Sequence, residues 1–361
     1  MSELLYDEVE TDLRGSVRDM LASRSPVSRV LANIEIGDPY DASVWRTLAA
    51  EMGLAGIAVP EKFGGSGASL REAAVVLEEL GRAVTPVPFL SSSVVATAAL
   101  IKADEADLLG KLAAGEAIAV LAVPFSTAPA GAASTVTANG GRLNGRVTSV
   151  ADAMAATVLL VPANDGLYAI DATADGVQRT VAVSLDLTRP IGDITFDGAA
   201  GRLIASADTA AAMVEHALTV GAALLASEQL GIAEWCLDTT VEYAKIRHQF
   251  ARPIGSFQAI KHRLADLWVD VTQARAAARY GANCAAIADP DLPVAAAVAQ
   301  SFLSPVAVHA AEECIQLHGG IGMTWEHPAH LFLKRAKADS LAFGTADRHR
   351  LALATLVDLP A

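Results

Sequence analysis

What most constrains this chain is the length of its helical periodicity after Ser206. In SFQAIKHRLADLWVDVTQARAAARYGANCAAIA, Ser256 to Ala288, the apolar residues Phe257, Ile260, Leu264, Leu267 and Val271 recur at spacings of three and four, with Ser256 placed to cap. A stripe of that length is stable only when buried against helices of similar length. Residues 208–248 and 291–317 repeat the pattern, which predicts an antiparallel bundle of three or four long helices over 206–361. Hydrophobic residues make up 52% of the chain but aromatics only 5%, so the core is built from Ala, Val and Leu, which favours close-packed helices.

Two further regions precede the bundle. Residues 1–116 read as a small helical domain; Ser69 and Glu72 form a capping-box pair opening SLREAAVVLEELGRAV, and Gly81 marks its C-terminal stop. Between 117 and 205, Gly, Thr, Asn and Asp punctuate short β-branched runs such as ATVLLVPA and DITFDGA, which predicts a β-barrel or sandwich. The fold class is therefore mainly α with a middle β domain.

A net charge of −14 disfavours a nucleic-acid partner, because phosphate-backbone affinity requires clustered Lys and Arg, although it leaves room for an anionic ligand held by a few local arginines. Cys236, Cys284 and Cys314 show no CxxC spacing and read as buried free thiols. The N-terminus has no apolar leader, and no uninterrupted apolar run reaches the roughly 20 residues of a membrane span. The expectation is a cytoplasmic protein without a membrane partner.

Three strings carry chemistry: GLAGIAVPEKFGGSG from Gly53, EYAKIRHQFARPIGSFQAIKHRLAD from Glu242, and CIQLHGGIGMTWEHPAHLFLKRAKA from Cys314. In order and spacing they resemble the signatures of the acyl-CoA dehydrogenase flavoprotein family, across nearly the whole chain. The second string ends a helix at Arg247, turns through Pro253 and Gly255, and opens another helix, bringing an Arg, backbone N–H groups and a helix N-terminus together as a pyrophosphate requires. The resemblance implies that Arg247, Gln249, Phe250, Ile254 and Gln258 line the FAD of a neighbouring subunit, with Gln316, Gly319 and Gly320 along its ADP portion and Thr345 near the flavin. Alternatively, Arg247 is a dipole partner for its own helix, and Phe257 and Leu264 are core residues.

Two family features are missing. The segment that contacts the flavin ring reads AVPFSTAPAGAAST, Ala122 to Thr135, and the segment flanking it reads RVTSVADA, Arg146 to Ala153, without the family's acid, Gly-Ser pair or tryptophan. The catalytic base, a Glu before Gly-Thr in many members, is Phe343 here, and the alternative base position falls near Gly221. Glu228 and Glu326 are the remaining candidates, each with an ordinary structural alternative, as an ion-paired residue and a helix-start residue respectively. His327 and His330 lack metal-site spacing, so no metal is expected.

The departures are those of a degenerate member of a pair, similar to the α2β2 heterotetramers that dehydrogenate steroid side-chain CoA esters in actinobacteria. On that reading the chain lends its ADP loops to FAD held mainly by a homologous partner subunit, and the complex dehydrogenates an acyl-CoA at the α,β-position and passes electrons to an acceptor. Two alternatives stay open: an autonomous homotetrameric dehydrogenase with its base at Glu228 or Glu326, and a non-redox acyl-CoA-binding scaffold.

Overall fold

The computed structural model describes residues 4–38, 40–131 and 134–359. Helices α1 (Glu8–Arg24), α2 (Val27–Glu35), α3 (Ala42–Arg46), α4 (Leu70–Ala83), α5 (Thr97–Lys102) and α6 (Ala106–Ala113) come first. Eight strands follow: β1 (Ala119–Leu121), β2 (Val136–Asn139), β3 (Arg142–Ala151), β4 (Val158–Ala163), β5 (Gly166–Asp171), β6 (Val177–Val181), β7 (Ile191–Ala200) and β8 (Arg202–Ser206). They form two four-stranded sheets, ordered β1-β4-β5-β8 and β2-β3-β7-β6. Every pairing is antiparallel except β1 with β4.

The chain then enters α7 (Ala207–Ile246), a 40-residue helix that at about 1.5 Å per residue is about 60 Å long. A short hairpin of β9 (His248–Gln249) and β10 (Arg252–Pro253) leads to α8 (Gln258–Ala286), α9 (Leu292–His318), α10 (Ala329–Asp339) and α11 (Ala346–Leu356). The length of α7 organises the molecule around two cores. Its first half, including Leu218, Val220 and Leu225, packs with the N-terminal helices and the sheets; its second half, including Leu230, Ile232 and Leu237, packs with α8, α9 and α10.

Several local expectations hold. Ser69 and Glu72 form the capping box of α4, and all three cysteines are free and buried. Others are corrected. Gly81 does not end α4, which runs two residues further to a left-handed Val84; a Cβ at Gly81 would lie 2.1 Å from the Glu228 carbonyl, so this glycine marks where α4 crosses α7. Ser256 does not cap α8, because Phe257 occupies the N-cap and the Ser256 hydroxyl donates to the Pro253 carbonyl at 2.7 Å. Along the α8 stripe Leu267 and Val271 are buried, while Phe257, Ile260 and Leu264 are half-buried. Two helices, α7 and the continuous stretch from α9 to Met323, are long and apolar enough to cross a membrane by length and composition, although polar residues interrupt both; 72% and 61% of their most apolar windows are buried inside the protein, as core helices require.

Candidate functional site

The second signature folds into a strained hairpin. Arg247 leaves α7 in extended conformation, and Phe250 and Ala251 at the hairpin tip both have positive φ, 52° and 62°. A two-residue turn of this kind normally takes Asn-Gly, because a Cβ is disfavoured in the left-handed region. The Ile254 N–H donates to the Arg247 carbonyl at 2.8 Å and closes the loop, while the Arg252 guanidinium sits 3.9 Å from the centre of the half-buried Phe257 ring. Phe250 is 87% exposed, an aromatic presented to solvent at a strained tip. Arg247, Gln249 and Gln258 are exposed and Ile254 is half-buried. Among the described residues no carboxylate pairs with Arg247, and α8 starts without a side-chain cap on its first N–H groups.

The third signature ends α9 at His318 and turns at Gly319, φ 62°. Gln316, Gly319 and Gly320 are all exposed. A Cβ at Gly320 would meet nothing within 4 Å, whereas one at Gly322 would lie 2.4 Å from the Ile315 carbonyl. Gly322 is thus required by the chain's own packing, whereas Gly320 faces open space. The two loops leave the bundle side by side, because the Tyr243 ring stacks on His318, with centroids 4.4 Å apart, and His327 lies 4.3 Å beyond His318.

Further back along α7, near its middle, the two base positions touch. Phe343 is 4% exposed and its ring points at Gly221, where a Cβ would stand 2.9 Å from Phe343 Cζ and 2.8 Å from Val95 Cγ2. Phe125 packs edge-on against the Phe343 ring, centroids 5.4 Å apart, and its carbonyl accepts the Phe343 N–H at 2.9 Å. The space left between Ser91, Val95, Phe125, Leu218 and Phe343 is about 30 Å³, room for about one water. Thr345, two residues on, is exposed and caps α11 by accepting the Arg348 N–H, at the junction where Gly344 is backed by Ala128.

Neither alternative acid occupies this chamber. Glu228 is two helical turns from Gly221, fully buried, and clamped by Arg189 at 2.6 and 2.8 Å and by Arg335 at 2.6 Å. Burial alone would raise its pKa, but the two guanidinium groups outweigh it and hold the carboxyl below its ordinary value. Arg335 also donates to Asp186 and Thr188, and Arg189 to Asp339, so the cluster joins the β6–β7 connection, α7 and α10. Asp339 is pushed well up by burial and by Glu228, and one of its oxygens has no partner. Glu326 is exposed and precedes α10, which starts at Ala329 with Pro328 at its N-cap, so it is not a helix-start residue. It neighbours His327 at the Tyr243 end of α7, which lies about 33 Å along the helix from Gly221 at the standard rise.

The two regions fit FAD differently. An exposed unpaired Arg, uncapped helix N–H groups and a glycine turn facing open space suit a diphosphate. The stretches corresponding to the family's ring contacts instead border a cleft of about 480 Å³ lined by Phe125, Ser126, Ser149, Leu185, Arg189 and Leu341, with no carboxylate or indole to hold a ring edge. Among the described residues no three His, Cys, Asp or Glu side chains gather as a metal site. The sequence offered no pattern for the cluster of Arg189, Glu228, Arg335 and Asp339, in which Arg189 and Asp339 lie 150 residues apart, nor for the Tyr243–His318 stack.

Residues 7–116 match the family Acyl-CoA dehydrogenase, N-terminal domain, and residues 211–357 match Acyl-CoA dehydrogenase, C-terminal domain. The chain belongs to the acyl-CoA dehydrogenase family, whose cofactor is FAD. It is 38% identical over 325 residues to acyl-CoA dehydrogenase IpdE2 of Mycobacterium tuberculosis, covering 90% of this chain and 89% of that protein. Among solved structures it superposes on a chain of the ChsE4-ChsE5 complex from Mycobacterium tuberculosis with a TM-score of 0.87 and 29% identity over the whole of both chains. A chain of the Tcur3481-Tcur3483 steroid ACAD gives a TM-score of 0.86 and 31% identity over 97% of this chain and 98% of that one.

Proposed function

We propose that this chain is the non-catalytic member of a heteromeric acyl-CoA dehydrogenase. It lends the Arg247 hairpin and the Gln316–Gly320 turn to FAD whose ring, catalytic base and substrate sit in a homologous partner subunit, in an α2β2 assembly working in the cytoplasm. The observation that carries this reading is the contrast along α7: at its C-terminal end an exposed arginine and a glycine turn suit a diphosphate, while near its middle both base positions are apolar and fill one another. When bound, FAD supplies the hydride acceptor for α,β-dehydrogenation. The work of this chain is to hold the cofactor: Arg247 neutralises diphosphate charge, Gln249, Gln258 and Gln316 offer hydrogen bonds at the surface, Gly319 and Gly320 admit close backbone approach, and Phe250 and Ile254 cover apolar surface. Thr345 stands at the β-domain junction as the one carried-over contact on the ring side. The likeness to chains of the ChsE4-ChsE5 complex and of a steroid ACAD supports both the paired arrangement and a bulky steroid side-chain CoA ester as substrate, with electrons leaving to a separate acceptor.

The test is absorbance at the flavin band near ~450 nm for the chain purified alone and after co-expression with its homologous partner. Colour in the pair only, at one FAD per two chains, is the expected result. One FAD per subunit in the chain alone would overturn the proposal in favour of an autonomous homotetramer; a colourless pair would favour a non-redox scaffold.

A further inference from the structure

We infer that Phe343 seated on Gly221 is a plug that shuts this subunit's own acyl chamber. The plug does not rest on the heteromeric reading above; only the equivalents expected per pair in the closing titration do.

Gly221 lies near the middle of a buried helix, where glycine is a poor choice unless a side chain has no room. Two glycines interrupt α7, and they do so for different reasons. At Gly231 the obstruction is backbone, the Glu78 carbonyl 1.9 Å from a would-be Cβ, which fixes a helix crossing. At Gly221 the obstruction is the tips of two side chains, Val95 and Phe343. The socket therefore exists for the ring. The ring in turn is held in place against local preference: Phe343 has φ 52°, a region residues with a Cβ avoid, and its backbone is tied on both sides, N–H to the Phe125 carbonyl and carbonyl to His349 Nε2 at 3.0 Å. The residual 30 Å³ is bordered by Ser91, Val95, Val120, Leu121, Phe125 and Leu218, a largely apolar lining to which the ring itself belongs. Loss of a carboxylate could have left a small or polar residue; this chain has instead a large ring, a glycine opposite it and an edge-on aromatic neighbour, arranged to leave no space for a substrate chain.

Three variants of the full-length chain decide the matter. Phe343→Gly removes the ring and suits φ 52°, opening an apolar cavity on the order of 150 Å³, a size that takes up benzene-like molecules. Toluene at millimolar concentration should raise the melting temperature of this variant by roughly 2–4 °C and leave the wild type within about 1 °C. Gly221→Ala should lower the melting temperature of the wild type by several degrees and should cost nothing, or raise it, when combined with Phe343→Gly. Should Phe343→Gly not fold, Phe343→Leu carries the same pair of comparisons with smaller shifts in the same directions. A wild type that binds toluene as well as the variant does, a folded variant that shows no toluene shift, or an equal loss for Gly221→Ala in both backgrounds would each overturn the plug.

Titration of the co-expressed pair with hexanoyl-CoA separates the two readings. One equivalent per pair, with a second weak site appearing only in the Phe343→Gly pair, is expected. Two equivalents in the wild-type pair would overturn the plug, whereas one FAD per subunit in the chain alone would sink the heteromeric assignment and leave the plug to the toluene and Gly221→Ala tests.

Discussion

The Tyr243 ring lies on the His318 imidazole, with centroids 4.4 Å and planes 26° apart, four residues before Arg247 on one helix and one residue before Gly319 on the other. This contact fixes the spacing of the two loops that a diphosphate would bridge. Since a stacked pair of this kind is worth about 0.5–1.5 kcal/mol, Tyr243→Leu is expected to weaken FAD retention by the pair roughly 3–10-fold with little loss of fold. Flavin release followed by fluorescence, beside an unfolding curve, measures both.

Arg247 makes no ion pair among the described residues, so removing it strands no buried carboxylate. Its charge-assisted contact with a phosphate should contribute about 1.5–3 kcal/mol, and Arg247→Ala is expected to lower FAD affinity of the pair by roughly one to two orders of magnitude while leaving thermal stability unchanged. Arg247→Lys should recover only part, because a point charge does not reproduce the guanidinium fork. Equal melting temperatures with unequal flavin content are the signature sought.

Glu228→Gln is expected to unfold the chain sooner rather than to stop chemistry. The substitution leaves Arg189 and Arg335, which are 5% and 2% exposed, short of a balancing charge, a loss of about 3–5 kcal/mol for a broken buried pair. Urea unfolding reads the loss directly. Normal stability with abolished turnover would make Glu228 the missing base after all.

His327 is held down to about 4 by burial and by the nearby His318 and His330. In the unfolded chain it binds a proton below roughly pH 6.5, whereas the folded chain refuses that proton until about pH 4. Between those values the unfolded state carries the extra proton, so stability from this site falls as the solution is acidified and is fully present above the upper value. Melting temperature followed against pH should drop more steeply in the wild type than in His327→Gln across this window, and the two should converge near pH 7.5.

The sequence made the architecture legible because its long stripes and its Gly- and Asp-punctuated β-branched runs depend on neighbours within a few residues. The same local logic found the capping box at Ser69 and Glu72. It failed where distance matters. Gly81 reads as a helix stop until the Glu228 backbone is seen pressed against it, and Phe343 reads as a lost acid until Gly221 is found beneath its ring. Ser256 was a plausible cap by type, but its hydroxyl turns to the Pro253 carbonyl instead. The Arg189–Asp339 contact spans 150 residues and has no periodic signature that could announce it.

That long contact also bears on how the chain is made. Synthesis runs from the N-terminus, so the connection carrying Asp186 and Arg189 leaves the ribosome just ahead of β7 and β8, which complete the two sheets, and with its charges unmatched. Glu228 arrives 39 residues later, and Arg335 and Asp339 follow only when the chain is nearly finished. The β domain is therefore shaped early but locked late, since a polypeptide stopped short of α10 would keep the Arg189–Glu228 pair but leave Arg189 without Asp339 and Glu228 without Arg335.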